Sequence, residues 1–130
     1  MNIIDYIKKN KNKAFNDLPF NEIDNLILSL LPYIDFQGIV PTFRKGKITL
    51  KESAEKLNDK KKNFRGLFIS NTFKMLQIMK NSIRYQDIQL YNYVNVVNDD
   101  MQFGALTMKL SDKSIFIAFA GTDSSIIGWE

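Results

Sequence analysis

The residues best placed to do chemistry are Gly121 and Thr122, which follow an apolar run. A glycine at the C-terminal end of a strand lets the backbone turn sharply. The N–H groups after it then collect at a helix N-terminus, where partial positive charge favours an anion. Such a turn can hold a phosphate, a carboxylate or a developing oxyanion, and the Thr122 hydroxyl could contribute. The alternative is that Thr122, Asp123 or Ser124 only caps a helix.

The composition removes several kinds of active site. The 130 residues include no His and no Cys. A Ser-His-Asp triad, a Cys-His pair and thiolate chemistry therefore cannot be built from this chain alone. Disulfides and zinc sites with His or Cys ligands are excluded for the same reason. Carboxylates, lysines, tyrosines and hydroxyls remain, and we expect no metal and no cofactor.

A basic cluster raises the question of nucleic-acid binding. The net charge of +4 is uneven, because residues 1–65 carry +5 and residues 66–130 carry −1. Lysines can neutralise phosphates and an aromatic ring can stack on a base, but the same residues also suit a solvated linker. No helix-turn-helix, zinc or RNA-binding signature is present, so we do not expect nucleic acid as a partner. The cluster consists of Arg44, Lys45, Lys47, Lys60, Lys61, Lys62, Phe64 and Arg65.

Two further sets of residues are interpreted as structural. Asp24 and Asp35 adjoin apolar runs, and Asp24 suits the first turn of a helix. The other carboxylates lie where turns favour Asp: Asp87, Asp99, Asp100 and Asp112. The tyrosines are expected to pack around a strand: Tyr85, Tyr91 and Tyr93.

Helical periodicity dominates residues 1–83. The clearest helix spans 21–31, with Asn21 as its cap and apolar residues at helical spacing. Thr49 and Glu52 form a capping-box pattern that opens a helix over about 50–58. The remaining helices are predicted over 2–9 and after a cap at Asn71, the latter with four inward residues: Phe73, Leu76, Met79 and Ile83.

Strand patterns follow, over 88–97, 102–110 and 115–119. A tight turn at 111–114 predicts that the last two strands pair antiparallel. The run 115–119 is apolar without alternation, which predicts a central strand covered on both faces. The chain is therefore predicted to be one α/β domain over 1–130, helical over 1–83, with a sheet over 86–120 and a helix beginning over 122–130. It has the pattern of an α/β fold cut short.

The segment Phe119-Ala120-Gly121-Thr122-Asp123-Ser124-Ser125-Ile126-Ile127-Gly128-Trp129 resembles the F-R-G-T-D-x-x-x-x-G-W segment of bacterial lipase-like α/β-hydrolases. These form a domain-of-unknown-function family related to class 3 lipases. Four other segments resemble the same family in the same order, so the resemblance covers essentially the whole chain. They are Phe20–Ser29, Tyr33–Phe36, Ile48–Glu52 and Leu90–Asn95.

The resemblance implies that Thr122 forms part of an oxyanion hole, with Gly121, Asp123 and Trp129 supporting the loop. The family usually has Arg where this chain has Ala120, which would remove an anchor of that loop. The family's nucleophile lies in a G-x-S-x-G elbow that is absent here. The resemblance therefore implies the N-terminal part of a lipase-like or esterase-like serine hydrolase. The full-length parent would act on an acyl ester, whereas this chain alone is expected to be inactive.

The alternative is a non-catalytic binding or assembly module. Such a module would have to cover the edge of its small sheet and the unfilled face of its last strand, and homodimerisation is the obvious way. The sequence contains no apolar stretch long enough to span a membrane and no secretory signal. We therefore expect a cytoplasmic protein.

Overall fold

A computed structural model describes residues 2–42, 46–58, 67–99 and 101–123. Helices come first along the chain and three long strands come last. A two-residue strand lies between the second and third α-helices and forms one edge of the sheet. The elements are α1 (Ile3–Asn10), α2 (Glu22–Leu30), a 3₁₀ turn (Leu31–Tyr33), β1 (Ile48–Thr49), α3 (Leu50–Asn58), α4 (Leu67–Met79), β2 (Gln89–Val97), β3 (Met101–Lys109) and β4 (Ile115–Asp123).

The predicted caps of two helices are confirmed. The Asn21 side chain accepts hydrogen bonds from the N–H groups of Ile23 and Asp24 at 2.9 and 3.4 Å, and the Asp24 carboxylate accepts one from the Asn21 N–H at 3.0 Å. At α3, the Thr49 hydroxyl accepts from the Glu52 N–H at 3.1 Å. Both caps satisfy N–H groups that the first helical turn leaves without a backbone partner.

The four strands form one antiparallel sheet in the order β1-β2-β3-β4. The predicted tight turn between β3 and β4 is confirmed, since the Leu110 N–H donates to the Ser114 carbonyl at 2.9 Å. Within the turn, the Asp112 carboxylate accepts from the hydroxyl and the N–H of Ser114, and these bonds lower the pKa of Asp112. The chain is therefore a mixed α/β structure whose strands pair antiparallel.

The core lies between the helices and one face of the sheet, here called the inner face. Leu90, Leu106 and Met108 are fully buried on the strands, and Ala118 and Ala120 are almost so. They meet buried helical residues such as Ile7, Ile27, Leu28, Leu57 and Leu76. Tyr93 on β2 and Tyr85 just before it are also buried, which agrees with the prediction that tyrosines pack around a strand; Tyr91 is half-buried.

The prediction for α4 was partly wrong. The helix begins at Leu67, before the predicted cap at Asn71, and ends at Met79. Both the N–H and the hydroxyl of Ser82 donate to the Met79 carbonyl, at 3.0 and 2.8 Å. This tight turn breaks the 3.6-residue period, so Ile83 does not lie inward as predicted but is 54% exposed.

Two predictions about the last strand were also wrong. β4 continues through Asp123, which pairs with Met101, because β3 extends far enough to provide partners beyond Ala120. The helix predicted over 122–130 therefore does not begin at Thr122, and residues 124–130, Trp129 included, lie outside the described residues. The strand was also expected to be covered on both faces, whereas Ile115, Ile117 and Phe119 are exposed.

Across the described parts of the chain, no helix combines the length and the apolar character needed to cross a membrane.

Candidate functional site: the free edge and outer face of the sheet

The residues predicted to form an oxyanion site lie within β4. Gly121 pairs with Phe103, and Thr122 pairs with Gln102. Their backbone is extended in the antiparallel ladder, and the turn expected after Ala120 does not form there. Asp123 is the last residue of the strand, and Trp129 lies outside the described residues. The role of Thr122 in an oxyanion hole stays a prediction.

The basic and acidic candidates do not come together in the described structure. Of the basic cluster only Lys47 is described, and its ammonium lies 5.2 Å from the centre of the Tyr91 ring. Asp99 is exposed, and Asp100 lies outside the described residues. In the described ranges, no three carboxylates are grouped so that they could hold a metal ion.

A buried ion pair joins distant parts of the chain. The Asp24 carboxylate accepts hydrogen bonds from Nε and Nη2 of Arg84 at 3.0 and 2.5 Å, and both side chains are fully buried. The Tyr85 hydroxyl donates to the same carboxylate at 2.6 Å. Arg84 also donates to the carbonyls of Lys13 and Leu18, at 3.0 and 2.7 Å. These bonds fix the segment after α1 to α2 and to the turn before β2.

The surroundings shift the pKa of two members of this cluster. Burial raises the pKa of the Tyr85 hydroxyl, and its hydrogen bond to Asp24 raises it further. Burial alone would lower the pKa of Arg84, but the hydrogen bond to Asp24 and its negative charge outweigh that effect, so the pKa is raised. Together with the capping bond from the Asn21 N–H, the Asp24 carboxylate accepts four hydrogen bonds. These bonds occupy the acceptor positions of the carboxylate. We therefore interpret the cluster as structural.

The face of the sheet opposite the core, here called the outer face, is apolar and open. On β4, Ile115, Ile117 and Phe119 are 52%, 54% and 63% exposed. On β2, Val94 and Val96 are 39% and 42% exposed. The Phe103 ring on β3 lies 6.1 Å from the Phe119 ring, between centres. These six residues are neighbours across three strands, so they form one continuous apolar surface.

A bulge in β2 keeps the two valines on this face. The pairing register shifts between Tyr91 and Val94, and Asn92 has a φ of 51°. An extra residue in one strand changes which side chains point outward beyond it. Tyr93 consequently points into the core, where it is 3% exposed, while Val94 and Val96 follow on the outer face.

β4 is also an edge strand of the described sheet. In the described sheet it pairs with β3 and has no strand on its other side. Along an antiparallel strand, the backbone N–H and C=O groups of one residue bond to one neighbouring strand, and those of the next residue point to the opposite side. The bond from the Leu110 N–H to the Ser114 carbonyl sets the phase of this alternation. The N–H and C=O groups pointing to the free edge therefore belong to Ile115, Ile117, Phe119 and Gly121.

Several usual protections of an edge strand are missing from residues 115–121. Natural sheets guard their edges with charged residues, prolines, bulges or very short strands. Residues 115–121 contain no charge and no proline, and the pairing of β3 with β4 runs without a register shift. These seven residues of the described edge therefore have the character of strands to which an extended segment can add.

The sequence pattern concealed this surface. Phe116, Ala118 and Ala120 on the inner face are as apolar as their neighbours on the outer face, so the alternation was invisible. The burial of each residue in the folded chain shows that the odd positions are uncovered. Arg84 was missed for a different reason, since nothing in its local sequence indicates a partner 60 residues away.

A protein-family model described as Mbeg1-like matches residues 79–130, less than half of the chain. The matched region includes β2, β3 and β4. No curated protein and no solved structure matches the chain. The match corrects the resemblance drawn above. The family found is Mbeg1-like and its description names no lipase, so the assignment to a lipase-like hydrolase family was wrong.

Proposed function

We propose that this chain is a non-catalytic assembly module that binds an extended apolar segment at the free edge of β4. The observation that carries the proposal is the coincidence of two features on the same residues. Ile115, Ile117 and Phe119 direct their unpaired backbone groups to the edge and their exposed side chains to the outer face. An added strand would gain backbone hydrogen bonds at the edge and apolar contacts beside these side chains.

The size of the surface supports a binding role. The exposed parts of the outer face add up to an apolar patch of roughly 400 Å², which is in the range where the largest patch of a monomer is often functional. The patch adjoins the edge along the whole of Ile115–Phe119. A bound strand would thus satisfy the backbone groups at the edge and contact the side chains beside it, whereas the described residues leave both exposed.

The hydrolase prediction has less support. Its fold, the first part of an α/β-hydrolase-like sheet, and its acyl-ester substrate depended on the resemblance that the family match corrects. A cytoplasmic location stays a prediction for the same protein. The chain alone should not hydrolyse a p-nitrophenyl ester above the rate of the Thr122→Ala variant. A clear rate that Thr122→Ala abolishes would favour the hydrolase over the assembly module.

The binding role can be tested with a fluorescent peptide of alternating valine and threonine, whose sequence differs from that of β4. We expect its fluorescence anisotropy to rise on addition of the chain. Ile117→Lys should weaken binding at least about 10-fold, because it places a charge in the middle of the apolar edge.

A matched control is available. Ile83 is also 54% exposed and lies outside the sheet, so Ile83→Lys adds the same charge at a site of equal exposure. We expect it to leave peptide binding unchanged. Absence of binding, or equal loss in both variants, would overturn the proposed function.

A further inference from the structure

We infer that the segment bound at this edge is β4 of a second copy of the chain, paired antiparallel about a two-fold axis at Ile117. The inference rests on the proposed function, and it specifies both the partner and the register. The two sheets would join edge to edge into one sheet of eight strands.

The first support is the symmetry of the edge itself. The outward-pointing backbone groups and the exposed side chains of β4 occupy the same alternate positions, and Ile117 is the middle one of the three exposed apolar residues. In an antiparallel pair, directly opposed residues share a face and exchange hydrogen bonds at every second position. A two-fold axis at Ile117 places Ile115 opposite Phe119 of the second copy. Both the backbone groups and the apolar side chains are then matched.

The second support is the distribution of charge. Residues 115–121 carry no charge that self-pairing would set against itself. In the inferred register, Lys113 falls opposite Gly121 of the second copy, at the end of the paired region. Lys109 lies beside Ile115 in the β3–β4 register, also away from the axis. An apolar centre with charged residues at its rim is the usual anatomy of a protein interface.

The size of the contact sets its strength. Edge pairing over about seven residues buries much less than the roughly 800 Å² per partner of a standard interface. We therefore expect a reversible dimer with a dissociation constant in the micromolar range, detectable by sedimentation at several concentrations. In an isologous dimer each substitution occurs on both sides of the interface. Ile117→Lys therefore places two lysines opposite each other at the axis, and should weaken the dimer at least about 10-fold.

The register can be read by cysteine trapping, because the natural chain contains no Cys. Residues opposed in a hydrogen-bonded pair have Cα atoms about 5.5 Å apart, within reach of a disulfide. The Ile117→Cys variant should therefore form a disulfide-linked dimer on mild oxidation. In the inferred register, Ile115 lies about 14 Å along the sheet from Ile115 of the second copy, which is beyond that reach.

The matched controls are Ile115→Cys and Phe119→Cys. Neither should cross-link with itself, but a mixture of the two should give a heterodimer. A chain that stays monomeric up to about millimolar concentration, or Ile115→Cys trapped with itself, would overturn the inference. Peptide binding would still decide the proposed function, since its probe shares no sequence with β4. If the peptide does not bind, both the proposed function and the inferred dimer are overturned.

Discussion

A buried cluster links segments of the helical part of the chain through an ion pair and hydrogen bonds among three side chains, those of Asp24, Arg84 and Tyr85. A buried ion pair contributes little compared with well-packed apolar residues, but removing one partner leaves the other charge buried and unpaired. Arg84 is fully buried and its guanidinium lies 4.4 Å from the centre of the Phe15 ring. Its alternatives to Asp24 are backbone carbonyls, which carry no charge to balance its own.

Substitution of Asp24 with Asn should therefore destabilise the chain strongly. Asn keeps the shape of Asp but removes the negative charge, and we expect a loss of about 3–5 kcal/mol. Urea unfolding followed by circular dichroism measures it. Asp17→Asn, at an exposed position, should change the stability by no more than about 0.5 kcal/mol. A loss for Asp24→Asn as small as that would contradict the structural role of the cluster.

Tyr85 should make stability fall at high pH. Its pKa is raised in the folded chain above the ordinary value of roughly 10. The stabilisation from the neutral Tyr85 hydroxyl is present below pH of about 10. It is lost progressively above that pH, because the unfolded chain releases the hydroxyl proton there and the folded chain does not. Each pH unit above that point costs about 1.4 kcal/mol.

The measurement is urea unfolding between pH 9 and pH 11 for the natural chain and for Tyr85→Phe. The variant lacks the titrating hydroxyl, so its stability should decline less steeply by that amount, although it starts lower. The other tyrosines and the lysines are common to both proteins. Equal slopes would show that the Tyr85 hydroxyl ionises alike in the folded and unfolded states.

At the scale of the elements, β3 and β4 have two unequal faces. Leu106 on the inner face is fully buried, whereas Ile117 on the outer face is 54% exposed. Burial, not residue type, should then set the cost of truncation. In dilute solution, Leu106→Ala should cost about 2–5 kcal/mol and Ile117→Ala less than about 1 kcal/mol. Equal costs in urea unfolding would mean that something covers the outer face of the monomer.

The elements also show what the sequence could predict. The helix caps at Asn21 and Thr49 could be predicted because a cap is a local interaction between residues no more than three positions apart. The turn at Asp112 is local for the same reason. The exposure of the outer face of β4 could not be predicted in this way, since it depends on which distant parts of the chain pack against that face. The Asp24–Arg84 pair likewise needs the fold to bring the two residues together.

At the scale of the whole molecule, the candidate site was only partly predictable. The expectation that a small sheet must cover its edge follows from physics alone, and it led to the assembly alternative. The choice of Thr122 depended on a turn after Ala120 that the continuing strand replaces. The apolar outer face went unnoticed because Phe116, Ala118 and Ala120 on the inner face are apolar too, which hides the alternation.

The free edge of β4 is tested most directly by residue-resolved amide hydrogen exchange along this strand, with and without the valine–threonine peptide. Without the peptide, in dilute solution, the amides of Ile115, Ile117, Phe119 and Gly121 should exchange fast and those of Phe116, Ala118 and Ala120 slowly. With the peptide, the fast set should become protected while the slow set stays as it was. Uniform protection without the peptide, or no response of the Ile117 amide to it, would contradict the account.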